Sequence, residues 1–315
     1  MTTNTFLSKL FHSNTAKYIL LRLLILILTS FLVVHFYNLN TRDRTKEGFT
    51  QKDKFISKFQ NQTYDDFYVQ VYDKLFKTEK RTEYDVAIIV KNTQPSKDSV
   101  FLDVGAGSGY FVNSLREMGY KSFGIDKSEA MVNQAETIFP EIEVKCGDVN
   151  KNSILYDKST FSHISCLNMT IYEMTTEEKR DFFYNCHYWL VPNGYLILHL
   201  VDKYKFNTVV PIGNPSFATN PQLYSPTRIV KSEVNFPDFI YTSSYDFNKD
   251  KATFVETMTD KSTRNIRQNE KTLYMEDLKD ILKMVCDTGF IIKGRVDYLA
   301  YNEDKYQCLF IFERI

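Results

Sequence analysis

The chain is poor in the residues that mark irregular or repetitive architecture. Of its 315 residues only 11 are glycine, 8 are proline and one is tryptophan. Those counts exclude collagen-like repeats and low-complexity disorder. An excess of either charge is missing too, because 39 Lys and Arg meet 39 Asp and Glu. Nucleic acid held mainly by a basic surface is thereby excluded. The five cysteines (Cys146, Cys166, Cys186, Cys286 and Cys308) are odd in number and nowhere spaced C-x-x-C. They read as reduced packing residues rather than a disulfide framework or a zinc site, and no metal is expected.

One absence is local. Residues 1–37 contain no acidic residue and three basic ones, Lys9, Lys17 and Arg22. Within them Tyr18 to Tyr37 is predominantly apolar, and about twenty helical residues span roughly 30 Å, a bilayer's hydrocarbon core. No small-x-small cleavage site follows, and residues 23–34 lack the polar face of a packed amphipathic helix. The expectation is a tail (1–17), a transmembrane helix (18–37) and a polar linker (38–54). The flanking Lys and Arg lean slightly towards a cytosolic carboxyl-terminal portion, hence a single-pass membrane protein with the domain that follows the linker in the cytosol.

The rest, 55–315, reads as one domain. Apolar positions at helical spacing in 55–92 predict two or three helices, ended at Gln94-Pro95. Beyond Pro95, strands are expected at Val100–Val104, Ser122–Ile125, Ile142–Lys145, Ser162–Leu167 and Tyr195–Leu200. Helices are expected between them at 109–118, 128–138 and 176–190. That alternation predicts an α/β doubly wound, parallel sheet. Residues 202–272 break it: Phe239–Phe247 and Thr253–Met258 flank Asn248-Lys249-Asp250 as a hairpin, with a further strand possible through 270–274. Their charges at Lys261, Arg264, Arg267 and Glu270 read as a solvated face. A helix at 275–287 capped by Gly289 and strands at 290–298 and 307–313 complete the chain.

The strongest chemical signal is the run Val100-Phe-Leu-Asp-Val-Gly-Ala-Gly-Ser-Gly-Tyr-Phe111. A buried strand enters glycines at 105, 107 and 109 and then a helix, so that the backbone turns sharply and a ligand can approach it. The spacing is G-x-G-x-G, whereas a dinucleotide site needs G-x-G-x-x-G, and no Gly-Lys-Ser/Thr ending makes it a P-loop. Asp103, two residues before the first glycine, would repel pyrophosphate and can receive an ammonium group.

This run resembles the first motif of class I S-adenosylmethionine-dependent methyltransferases, and the resemblance continues through roughly residues 60–315. Gly124-Ile125-Asp126 ends the second strand with the acidic residue that in the family takes the ribose hydroxyls. Cys146-Gly147-Asp148-Val149 ends the third, where the family's Asp binds the adenine amino group. Leu167-Asn168-Met169 follows the fourth, where the family lines the methyl-donor pocket. Leu190-Val-Pro-Asn-Gly-Tyr-Leu-Ile-Leu198 matches the loop and fifth strand, with Asn193 replacing a glycine. The lead-in Tyr64-Asp-Asp-Phe-Tyr-Val-Gln-Val-Tyr72 resembles an aromatic helix that covers the donor's methionine end in small-molecule members.

The resemblance implies a seven-stranded Rossmann-like sheet with an antiparallel last strand beside the fifth. It implies S-adenosyl-L-methionine as cofactor, held by Tyr72, Asp103, Gly105, Ala106, Gly107, Gly109, Asp126, Asp148, Val149 and Asn168. The donor's methyl is already activated, so a general base is needed only when the acceptor must lose a proton. Catalytic residues are therefore unassigned, with Tyr172, Glu173 and His199 as candidates, and His163 reads as a packed histidine. The insert 202–272 stands where related enzymes cover the acceptor. With a membrane anchor, the expected acceptor is a small molecule or a lipid near a membrane. The alternatives are a nucleic-acid methyltransferase, for which an N-P-P-Y/F-type motif is missing, a protein methyltransferase, and a catalytically inactive donor-binding scaffold.

Overall fold

In the computed structural model, residues 16–42, 51–150, 155–213 and 220–315 are described. Most of the expected tail, residues 43–50 of the linker and residues 214–219 of the insert lie outside them. The chain divides into two compact units, Met1–Thr50 and Gln51–Ile315.

The described part of the first unit is one helix, α1 (Ala16–Arg42). Apolar side chains such as Leu26, Phe31 and Val33 are exposed along it. Among the described residues, however, no helix is long and apolar enough to cross a membrane. Between Arg22 and His35 the sequence runs twelve residues without an ionisable group. That is about 18 Å of helix, against the roughly 30 Å that a bilayer core requires. The expected transmembrane segment at 18–37 and the single-pass location with a cytosolic domain are corrected on this finding.

The second unit opens with β1 (Phe55–Phe59), α2 (Asp66–Phe76) and α3 (Thr78–Thr93). Residues 55–59 were expected to be helical. Phe55 and Phe59 are four apart, a spacing that suits a helix, but the segment instead pairs in parallel with residues 266–270. Asp65 caps α2, its carboxylate accepting from Tyr68 N–H.

The alternation then follows as β2 (Val100–Val104), α4 (Tyr110–Glu117), β3 (Lys121–Asp126), α5 (Glu129–Ile138), β4 (Glu143–Cys146), β5 (Phe161–Cys166), α6 (Thr176–Trp189) and β6 (Leu190–Val201). β6 starts earlier than expected. Pro192-Asn193-Gly194 is carried inside it, with Asn193 left-handed at φ 60° and a register shift against β5. After β6 come β7 (Lys231–Asn235), β8 (Phe239–Asn248), β9 (Lys251–Asp260), β10 (Ile266–Tyr274), α7 (Leu278–Asp287), β11 (Phe290–Tyr298), α8 (Leu299–Asn302) and β12 (Asp304–Arg314).

Seven strands form one sheet in the order β11-β12-β6-β5-β2-β3-β4. The pairs from β6 to β4 are parallel, and β12 lies antiparallel to both β6 and β11. The central strands are covered on both faces, which is why β2 and the second half of β6 read as nearly unbroken apolar runs. Trp189, Phe182, Phe183, Leu196 and Phe312, all fully buried, fill the core on one face. Phe101, Ile197, Leu309 and Ile311 fill it on the other.

The expected hairpin is the centre of a second, five-stranded sheet, β1-β10-β9-β8-β7, antiparallel except for the β1–β10 pair. Its residues alternate between buried and half-buried along β9 and β10. Arg267 is one of the buried ones, 5% exposed. It donates to Asp65 (2.9 Å) and to the Thr63 carbonyl (3.1 Å), so it is no part of a solvated face.

Helix α6 carries a complete capping box: Thr175 Oγ1 accepts from Glu178 N–H, and Glu178 accepts from Thr175 N–H at 2.7 Å. Replacing Thr175 by Ala should cost about 1 kcal/mol and lower the melting temperature by about 2–4 °C. Calorimetric melting of the two proteins checks it, and an unchanged midpoint would contradict it.

Candidate functional site

The loops at the carboxyl ends of β2, β3, β4 and β5 enclose a cleft of about 750 Å³. Open parallel sheets bind ligands at this end of their strands. After β2 the chain turns through Gly105, Gly107 and Gly109, all left-handed (φ 75°, 53° and 80°). Gly105 and Ala106 N–H both donate to the Ile125 carbonyl (2.8 and 3.1 Å). Gly107 N–H donates to Asp126 Oδ2 at 2.8 Å, and Ser128 N–H donates to Oδ1 at 2.9 Å. A Cβ on Gly105 would enter the Thr170 side chain, and one on Gly109 would enter Ile142. Only glycine keeps the loop this close to its neighbours.

Several expected donor-binding residues meet here. Tyr72, Gly105, Gly107, Asp126 and Val149 all line the cleft. Burial raises the Asp126 carboxyl above its usual range, and the two N–H groups from Ser128 and Gly107 work against that rise. Met131 and Val149 supply apolar flanks.

Others lie behind or beside the cleft. Asp103 sits under the loop, 4% exposed, and accepts from Ser165 Oγ at 2.6 Å. Ala106 packs against Gly124, and Gly109 begins α4. Asp148 pairs with Lys127 at 3.3 Å. Asn168 lines a different cavity.

The three catalytic candidates separate. Glu173 lines the cleft. Tyr172, its neighbour, points the other way into the core, where its hydroxyl accepts from Val201 N–H at 2.8 Å. His199 is fully buried within β6, and its Nδ1 accepts from Met169 N–H at 3.1 Å. His163 is likewise buried, stacked on Phe101 at 4.3 Å, and burial pulls its ring down to about 4.

Glu173 is held from two sides. Tyr64 Oη donates to its Oε1 at 2.6 Å, and Lys271 Nζ donates to Tyr64 Oη at 2.9 Å. Lys271 Nζ also stands 4.2 Å over the Tyr64 ring and 3.9 Å from Glu173. Burial first, then the Glu173 charge, pushes the Tyr64 phenol well above its usual range, so it remains a donor. The Tyr64 carbonyl accepts from Ser128 Oγ at 2.9 Å, tying the same residue to the loop after β3.

Lys127, Ser128, Thr170 and Met174 also line the cleft and were not foreseen, nor was Lys271. Ser128 had a signal, since Asp126-Lys-Ser-Glu is a helix start. Lys271 had none, because a lysine on an alternating polar strand reads as solvated.

Asp103 yields a pH prediction. Burial pushes its carboxyl up to about 7, opposed by the Ser165 hydrogen bond. A group raised on folding gives its full stabilisation below its unfolded value near 4, and loses it as pH rises through about 7. Without cofactor, Asp103→Asn should melt close to the parent near pH 4, gain on it progressively as the pH rises to about 7, and hold that gain above it. A melting difference independent of pH would contradict this.

Sequence and structure comparisons agree with the geometry. Residues 101–194 match a methyltransferase domain family. No curated protein matches the chain in sequence. Among solved structures, an S-adenosylmethionine-dependent methyltransferase from Clostridium acetobutylicum superposes with a TM-score of 0.59 at 16% identity, covering 78% of this chain and 97% of its own. CalS10, an amino pentose methyltransferase from Micromonospora echinaspora solved with S-adenosylmethionine, gives 0.56 at 18%, covering 79% and 96%. CcbJ, a methyltransferase from Streptomyces caelestis, gives 0.59 at 15%, covering 81% and 98%. At these identities the superpositions establish the fold. Residues 101–194 thus carry a methyltransferase domain, and the fold around them is the one seen in solved S-adenosylmethionine-dependent methyltransferases.

Proposed function

We propose that this chain methylates a small-molecule acceptor, with the donor seated in the cleft between the glycine turn and Asp126. The observation that carries this reading is the Asp126 carboxylate at the cleft wall beside backbone that only glycine permits. A carboxylate suits a ribose diol, the apolar pair Met131 and Val149 suits a purine, and Gly105 and Gly107 leave backbone room for the amino-acid end. Tyr72 would cover that end. When bound, the cofactor supplies an activated methyl group.

The protein's own residues then position and exclude. Segment 60–72 is tied over the cleft by Tyr64 to Ser128 and to Glu173, which keeps water from the reacting atoms. Glu173 lines the same cleft as the donor and closes it on the Tyr64 side. Tyr64 and Lys271 fix its direction. A lipid acceptor was motivated by residues 18–37 alone, and loses that motive with the withdrawn membrane span.

Transfer of a labelled methyl group from the donor into a fractionated cell extract tests the reading. Label is expected in the water-soluble small-molecule fraction. Label confined to protein or nucleic acid would contradict the proposed acceptor, and no label in any fraction would contradict turnover. Asp126→Ala should weaken donor binding by about 1.5–3 kcal/mol through lost charge-assisted hydrogen bonds. Unchanged affinity in a calorimetric titration would remove Asp126 from the site.

A further inference from the structure

A second cavity adjoins the loop that follows β5. That loop is shared: Thr170 lines the first cleft, and Asn168 and Met169 line the second cavity. Helix α2 is shared in the same way. Tyr72 lines the first and Phe76 the second, their ring centroids 4.7 Å apart. One loop and one pair of rings are thus common walls of the two spaces.

The loop is held in a shape that costs energy. Asn168 and Met169 are consecutive non-glycine residues in the left-handed region, at φ 49° and 65°. Such conformations persist where the surroundings enforce them, and they concentrate at functional sites. Here the enforcing contact is visible, since Met169 N–H is pinned to Nδ1 of the buried His199. Sequence reading had offered His199 as a catalytic candidate. In the structure it holds the loop that lies between the two spaces.

Resting on the methyl-transfer reading, we infer that the second cavity binds the acceptor, and that the acceptor is a neutral, oxygen-rich small molecule with a compact apolar face. The lining combines rings with amides. Phe206, Tyr245 and Tyr301 offer flat apolar surfaces beside Asn207 and Asn302. The amide oxygen of Asn207 accepts from Val209 N–H (3.0 Å), and that of Asn302 accepts from Asp304 N–H (3.2 Å). Each side chain is thereby oriented with its amide nitrogen left as a donor, and donors call for ligand oxygens.

The charge balance argues for a neutral ligand. Arg81 lines the cavity with its charge countered by the buried Asp85, 3.5 Å from Nε, while its Nε and Nη2 have no hydrogen-bond partner among the described residues, so it adds donors that call for ligand oxygens without demanding an anion. An acyl chain would bury the amide donors without partners, at a cost.

The test uses the full chain loaded with S-adenosylhomocysteine, with methyl β-glucopyranoside and decanoate as probes read by saturation-transfer NMR. Asn302→Trp and Pro211→Trp each fill the cavity from half-buried positions on its lining. Calorimetric titration with S-adenosylhomocysteine checks that both variants fold and keep the donor site, with affinity expected within about twofold of the parent. The glucoside should receive saturation from the parent and at least about tenfold less from both filled variants, while decanoate receives none. A glucoside signal absent from the parent, or undiminished in the filled variants, would overturn the inference, as would decanoate binding that the tryptophans abolish. Failure of the parent to bind S-adenosylhomocysteine would instead sink the methyl-transfer reading beneath it.

Discussion

The grip of the β3 terminus on the loop after β2 governs the site. The Ile125 carbonyl takes two N–H groups from that loop, and the Asp126 carboxylate takes a third from Gly107. The turn these bonds impose is left-handed at Gly105, Gly107 and Gly109, and its close approach to Thr170 and Ile142 excludes any side chain at the first and last of them. Without that grip the loop would lose its fixed distance from Asp126, and the cleft its shape.

A second constraint comes from the other sheet. Its covered face carries Glu256, Asn269, Lys271 and Arg267, all buried. Burying charges costs several kcal/mol each unless they are paired and hydrogen-bonded, and here the partners are present. Tyr68 and Tyr241 hydroxyls donate to Glu256, Asp65 pairs with Arg267, and Lys271 reaches Glu173 through Tyr64. The aromatic segment 64–72 is thereby fixed between the two sheets. The stripe of tyrosines is a set of polar contacts linking the second sheet to the cleft, which couples the architecture of the insert to the position of Glu173.

The parallel sheet was legible because its central strands β2 and β6 are buried and written largely in apolar residues. Val100–Val104 and the helices between the strands fall within a residue or so of expectation. The glycine turn was legible because three left-handed residues in five are adopted without strain only by glycine. The polar face of the second sheet was not, since Arg267, Asn269 and Lys271 alternate with Gln268 and Glu270, and hydropathy cannot tell the buried set from the half-buried one. β1 was missed for a related reason: five residues cannot announce a parallel partner more than two hundred positions away. Tyr172 and Glu173 are adjacent in sequence yet face opposite ways, a difference that only packing decides. The apolar helix near the amino terminus misled in the other sense, because continuity of apolar character was read across Arg22 as though it were length.

The most direct measurement is calorimetric titration of the full chain with S-adenosylhomocysteine. One molecule per chain should bind, and the crystal structure of that complex should show the ribose hydroxyls on the Asp126 carboxylate and the amino-acid end against Gly105 and Gly107. Absence of binding, or a ligand seated away from Asp126, would contradict the account.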